Sequence, residues 1–135
     1  MVVEVNNKTR RRIDVGLVKK VAEEFLRYYR IKNKEVSIAF VGDARIRELN
    51  YRYRGKDRVT DVLAFGSLDE DLGEIIICYA QIKRQAPQFS KSVKEELIFI
   101  LVHGLLHLLG HEDSTAKGKE EMERLGKEFI RNVGL

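Results

Sequence analysis

His103-Gly104-Leu105-Leu106-His107-Leu108-Leu109-Gly110-His111-Glu112-Asp113 closes an apolar run that begins at Leu97. From Leu97 to Leu109 only His103 and His107 carry polar side chains. Four residues apart on a helix, they stand one turn above each other, about 6 Å along the axis. Two imidazoles at that spacing can converge on one ion, as in helical zinc sites. Gly110 falls where such a helix would end, because glycine tolerates the left-handed conformation of a helix terminus. The chain can then turn back and offer Asp113 or His111 to the same ion. Three protein ligands with an open fourth position describe a catalytic zinc site, not a structural one. All three histidines of the chain lie in this stretch.

Working outward, Ser92 and Glu95 form a capping box that starts the helix carrying the histidines. Its side chains are apolar on nearly every face, so it reads as the buried spine of the fold. Upstream, Val2–Val5 reads as a short strand, and Asp14 caps a helix whose apolar face is Leu17, Val18, Val21, Phe25 and Leu26. Val36–Val41 and Gly73–Cys78 have the β-branched, apolar character of buried strands, and Val62–Phe65 reads as a fourth. Asp43 is expected to cap a short helix reaching about Tyr53, and Tyr79–Ala86 to form another, stopped by Pro87. Residues 66–72 read as an acidic loop. Ala116–Val133 is amphipathic, with Met122, Leu125, Phe129 and Val133 on one face. This order predicts an α+β class fold: one compact domain over residues 1–135, with a mixed sheet of about four strands and about five helices.

The bulk properties agree with a globular protein, with 44% hydrophobic and 34% charged residues. The 13-residue apolar run is too short to span a bilayer, and no N-terminal leader is apparent. A cytoplasmic location without membrane association follows as the expectation. Cys78 is the single cysteine, so no internal disulfide partner exists. Residues 1–90 hold 18 Lys/Arg against 13 Asp/Glu, and residues 91–135 hold 7 against 8, so the net +4 is the sum of +5 and −1. A basic front part suits a polyanionic partner, although a solvated lysine-rich surface has the same signature. The run Lys8-Thr9-Arg10-Arg11-Arg12 is read as a solvated loop.

Three stretches carry a family likeness. His103-Gly-Leu-Leu-His107-Leu-Leu-Gly110 resembles the signature of the YbeY family of ribosomal-RNA maturation endoribonucleases. Arg54-Gly-Lys-Asp-Arg-Val-Thr60-Asp61-Val62-Leu63-Ala64-Phe65 is similar to the second motif of that family, and Leu72–Cys78 to its strand leading into the next helix. The resemblance implies a zinc-dependent, single-strand-specific endoribonuclease with one Zn2+ per chain. It further implies action in 16S rRNA 3′-end maturation and ribosome quality control, on rRNA and with the small ribosomal subunit as partner. His103 and Arg54 are then the catalytic residues, and Arg54, Lys56 and Arg58 hold the RNA. The metal ligands are His103, His107 and a third residue at which this chain departs from the family. Where Asp113 stands the family usually has histidine, and His111 occupies a position usually aromatic. The turn set by Gly110 delivers a position, so Asp113 is the expected third ligand, with His111 outside the set.

Gly104 bears on the alternatives. Helical zinc proteases place a glutamate after the first histidine as general base, and this chain has no side chain there. A metal-dependent peptidase is therefore the second reading, and a ribosome-binding module with a structural zinc the third. Glu112 is the nearest carboxylate outside the expected ligands. Cys78 is read as small core filling rather than a fourth ligand, and Tyr51 and Tyr53 as packed on the short helix. The attacking group, water or the 2′-hydroxyl of the substrate, is open at the level of sequence.

Overall fold

The computed structural model describes residues 2–69 and 71–135. Its strands are β1 (Val3–Asn7), β2 (Val36–Val41), β3 (Val62–Gly66) and β4 (Gly73–Cys78), in one sheet of order β1-β2-β4-β3. β1, β2 and β4 run parallel, and β3 joins β4 antiparallel, with Val62 opposite Ile77 and Gly66 opposite Gly73. The helices are α1 (Val15–Tyr28), α2 (Asp43–Arg54), α3 (Tyr79–Gln85), α4 (Val93–Leu108) and α5 (Ala116–Val133), with a 3-10 turn at Ala86–Phe89. The expected α+β fold with a four-stranded mixed sheet and five helices is the fold observed. No helix among the described residues is long and apolar enough to cross a membrane.

Alternation along the strands divides the core in two. Val36, Ile38 and Phe40 of β2 and Ile75 and Ile77 of β4 face α1, α4 and α5, where Phe25, Leu101, Leu105 and Phe129 are fully enclosed. Ala39, Val41, Leu63, Ile76 and Cys78 face the other way, against Ile46 and Leu49 of α2. Cys78 is buried there, so it acts as core filling. Helix α4 enters through the expected capping box: Ser92 Oγ accepts from Glu95 N at 3.1 Å, and Glu95 Oε1 accepts from Ser92 N at 2.9 Å.

Several local expectations need correction. β1 runs to Asn7 rather than Val5, because ladder pairing with Ala39 and Phe40 holds Asn6 and Asn7 extended. Asp43 is the first helical residue of α2 and makes no cap bond; Gly42 is the N-cap. The Asp43 carboxylate instead accepts from Arg84 Nη2 at 2.7 Å, Arg84 Nη1 at 3.1 Å and Cys78 Sγ at 3.2 Å. Arg54 is the last residue of α2, not a loop residue. α3 ends one residue early, and Ala86 begins the 3-10 turn with Pro87. Tyr51 and Tyr53 are not packed away on α2: they are 62% and 60% exposed. Gly66 closes β3, and Glu70 of the acidic loop lies outside the described residues.

Candidate metal centre

Helix α4 stops as its sequence implies. Gly110 has φ +98, a conformation that favours glycine. Gly110 N donates to His107 O at 2.9 Å and His111 N to Leu106 O at 3.2 Å, the paired bonds of a Schellman motif. The motif uses His111 as backbone and turns the chain, so that Asp113 returns to the face bearing the histidines. Asp113 Oδ2 lies 3.1 Å from His103 Nε2 and 3.5 Å from His107 Nε2. The two imidazole rings are 4.8 Å apart and nearly perpendicular. One donor atom from each of His103, His107 and Asp113 lies within 4.8 Å of the others. Neither His111, Glu112 nor Cys78 joins the group among the described residues.

The group is half open to solvent, with His103 and His107 side chains 18% and 25% exposed and Asp113 41%. Burial pushes the Asp113 carboxyl up, but the His103 hydrogen bond and the charges of His107 and His103 outweigh it, so the carboxyl titrates below its ordinary value. The loop bearing Asp113 is held from behind. Thr115 Oγ1 accepts from Gly118 N at 3.0 Å to cap α5. A Cβ on Gly118 would stand 2.3 Å from Glu112 O, so only glycine permits this approach of helix to loop.

Two nitrogens and one carboxylate oxygen are ordinary zinc donors, and a tetrahedron with zinc bond lengths has edges of about 3.3–3.4 Å. The 3.1 and 3.5 Å separations of Asp113 Oδ2 from the two imidazole nitrogens bracket that edge, and all three donor atoms lie within 4.8 Å of one another, so the donor set suits a zinc ion and would leave a fourth position for another ligand. Gly104 faces the sheet: a Cβ there would meet Ile75 Cγ2 at 3.2 Å and Val62 Cγ2 at 3.3 Å. That position is occupied by helix–sheet packing and delivers no carboxylate to the group.

The expected RNA-binding residues occupy another segment. The side chains of Arg54, Lys56 and Arg58 are exposed and form no ion pair or hydrogen bond among the described residues. The structure does not join them to His103 by a direct contact. The segment bearing them is nonetheless tied down at both ends. Asn50, 1% exposed, donates from Nδ2 to Arg58 O at 2.9 Å. At the far end Gln85 Nε2 donates both to Asp61 Oδ2 at 3.0 Å and to Glu96 Oε2 at 2.8 Å. Gln85 Oε1 in turn accepts from Gln81 Nε2 at 3.2 Å, which leaves the amide one orientation. Glu96, 2% exposed, lies two turns before His103 on α4, so one amide links the start of β3 to the metal-binding helix. Sequence reading missed Asn50, Gln85 and Glu96. Glu96 offered a signal, as a carboxylate directly before the apolar run of α4; the other two offered none.

Two helix-borne histidines joined by a loop aspartate, open on one side and set on an α+β scaffold with a basic segment, define the class of candidate metallohydrolases. The chain belongs to the Endoribonuclease YbeY family, whose model matches residues 4–134. It is 38% identical over 114 residues to the Endoribonuclease YbeY of Mycoplasmopsis synoviae (strain 53), covering 76% of this chain and 73% of the relative. The Persephonella marina protein of that name is 36% identical over 132 residues, covering 91% and 86%. That of Staphylococcus carnosus is 37% identical over 144 aligned positions, covering 98% and 91%. The fold is similar to the solution structure of a Thermotoga maritima protein, with TM-score 0.69 and 29% identity over 97% of this chain and 88% of that one.

Proposed function

We propose that residues 1–135 act as one zinc-dependent endoribonuclease domain that cleaves single-stranded rRNA, in the maturation of the 16S rRNA 3′ end and in ribosome quality control. The substrate is met on or near the small ribosomal subunit, in the cytoplasm. The observation that carries this reading is the convergence of His103, His107 and Asp113 in a chain of an endoribonuclease family. These three residues would hold one zinc ion. Bound there, zinc would supply Lewis acidity toward a phosphoryl oxygen and lower the pKa of water.

The chain's own residues supply the rest. His103 and His107 would each offer a ring nitrogen to the ion, and Asp113 would add one negative charge that offsets half of a divalent ion's. Arg54 is always protonated and offers two parallel N–H groups to the non-bridging oxygens of a phosphodiester. Lys56 and Arg58 draw the neighbouring phosphates. The Gln85 bridge and the Asn50 anchor keep this segment from drifting against α4. Packing at Gly104 supports RNA over peptide as substrate, since it removes the place from which a protease-like base would act.

The test is cleavage of a single-stranded fragment from the 16S rRNA 3′ end by the purified full chain, with EDTA and with zinc restored. Chelation should stop cleavage, zinc should restore it, and His107→Ala should lower both zinc content and rate while the protein stays folded. Cleavage that persists in the metal-free protein would overturn the reading.

A further inference from the structure

Between Arg45 and Arg58 the chain carries six cations, and the structure divides them. Arg45 pairs with Glu48 at 2.6 Å and Arg47 with Asp57 at 2.7 Å. Arg52, Arg54, Lys56 and Arg58 are exposed, with no side-chain partner among the described residues. Positive charge is thus neutralised internally at the start of α2 and left free at its end.

Among the free charges stands Tyr53. It continues the stripe of Ile46, Leu49 and Asn50, all buried, into the last turn of α2, where the side chain is exposed. The ring leans on Phe65 of β3, with centroids 5.1 Å apart at 60°. Phe65 supports it from one side while the residue remains 60% exposed. Core filling does not account for a large ring left open in this way.

β3 is an edge strand, and its two faces meet different neighbours. Phe65 packs with the α2-side cluster, whereas Val62 lies against Gly104, the neighbour of His103. The ring pair therefore lies on one face of β3, and the helix that bears His103 and His107 packs on the other.

We infer that Tyr53, backed by Phe65, is a stacking platform for one unpaired base of the RNA, and so a determinant of the preference for single strands. Four free cations between Arg52 and Arg58, with an exposed aromatic ring in the same stretch, match the way single-stranded nucleic acid is held: charges follow the phosphates and the ring takes a base face. A base inside a duplex already has both faces stacked and cannot use the ring without unstacking. Because Phe65 restrains the ring before binding, little side-chain freedom is lost on contact. This inference rests on the RNA-cleaving reading and adds a residue to it.

The test measures binding of the full chain, in EDTA to prevent cleavage, to a single-stranded oligoribonucleotide containing 2-aminopurine and to the same strand annealed to its complement. Tyr53→Ala should weaken single-strand binding by roughly 5- to 150-fold, the range of one lost base–aromatic stack. Duplex binding should change by less than about twofold, and the salt slope should stay the same because no phosphate contact is lost. Tyr53→Phe should behave as the parent. Tyr53→Leu keeps an apolar cover over Phe65 but has no π-face, so it should melt as the parent and bind as Tyr53→Ala. Parent-like single-strand binding by Tyr53→Leu, or equal weakening on both RNAs, would overturn the platform. If the parent chain cleaves no single-stranded RNA, the RNA-cleaving reading fails first; if it cleaves and the Tyr53 variants bind normally, the platform alone fails.

Discussion

Asp113 Oδ2 stands 3.1 Å from His103 Nε2, although ten residues of chain separate them, because a Schellman turn at Gly110 folds the loop back over the helix. His111, nearer in sequence and an imidazole like the other two, spends its backbone on that turn and lies outside the group.

The first prediction concerns that choice. Asp113→Ala should weaken zinc retention by more than the roughly 10–100-fold typical of losing an outer hydrogen-bonding partner, and His111→Ala by less. Zinc content after dialysis at equal protein concentration compares them directly. An emptied site in His111→Ala with a filled one in Asp113→Ala would reverse the assignment.

A second prediction uses the contact behind the loop. Gly118→Ala places a Cβ 2.3 Å from Glu112 O and 3.1 Å from Thr115 Oγ1, so loop or helix must shift. Overpacking of this kind costs about 1–3 kcal/mol, and the shift should also lower zinc affinity by moving Asp113. Denaturant midpoints with and without zinc separate the effects: the apo protein loses the packing cost alone, and the zinc-loaded protein loses more.

Arg54 gives a third. Arg54→Ala should reduce RNA cleavage by about 3–4 kcal/mol of transition-state stabilisation, with stability changed by less than about 0.5 kcal/mol because the side chain holds no partner. Arg54→Lys should recover only part of the rate, since lysine keeps the charge without the two-pronged geometry. Single-turnover rates at saturating enzyme are the measurement. Near-parent cleavage by Arg54→Ala would remove it from the catalytic set.

The fourth concerns acid. The hydrogen bond from Arg84 is the leading cause that holds Asp43 below its ordinary value of 3.8, against the opposing effect of burial. A carboxylate depressed in the folded state contributes stability above its unfolded pKa, and that contribution fades as pH falls through the folded value. Asp43→Asn should therefore be less stable than the parent at neutral pH, with the gap closing below about pH 4. Urea midpoints across pH 2–7 follow it; a gap constant across that range would mean the ion pair contributes nothing.

What sequence reading resolved and what escaped it have physical reasons. The α4 capping box, the Gly110 stop and the return of Asp113 depend on residues a few positions apart, so their geometry could be anticipated from local rules. Asp43 was misread as a cap because its partners, Arg84 and Cys78, lie 41 and 35 residues away and outcompete the local bond. Asn6 and Asn7 are poor strand formers that pairing to β2 overrides. Tyr53 follows the buried stripe of α2 faithfully, but where the sheet stops is a property of strand order, which no local pattern discloses. The bridge from Gln85 to Asp61 and Glu96 was invisible for the same reason, since it joins three distant segments.

All three donors of the candidate centre fall between His103 and Asp113, and the carboxylate among them sits on a solvent-facing loop. Substitution at that position touches neither apolar cluster. The residue at that position is thus separable from the packing of the scaffold. Exchanging the carboxylate for an imidazole there would change the charge of the candidate centre by one unit while leaving both apolar clusters in place. The chemistry of the candidate centre is thereby set at the surface, apart from the packing that holds the fold together.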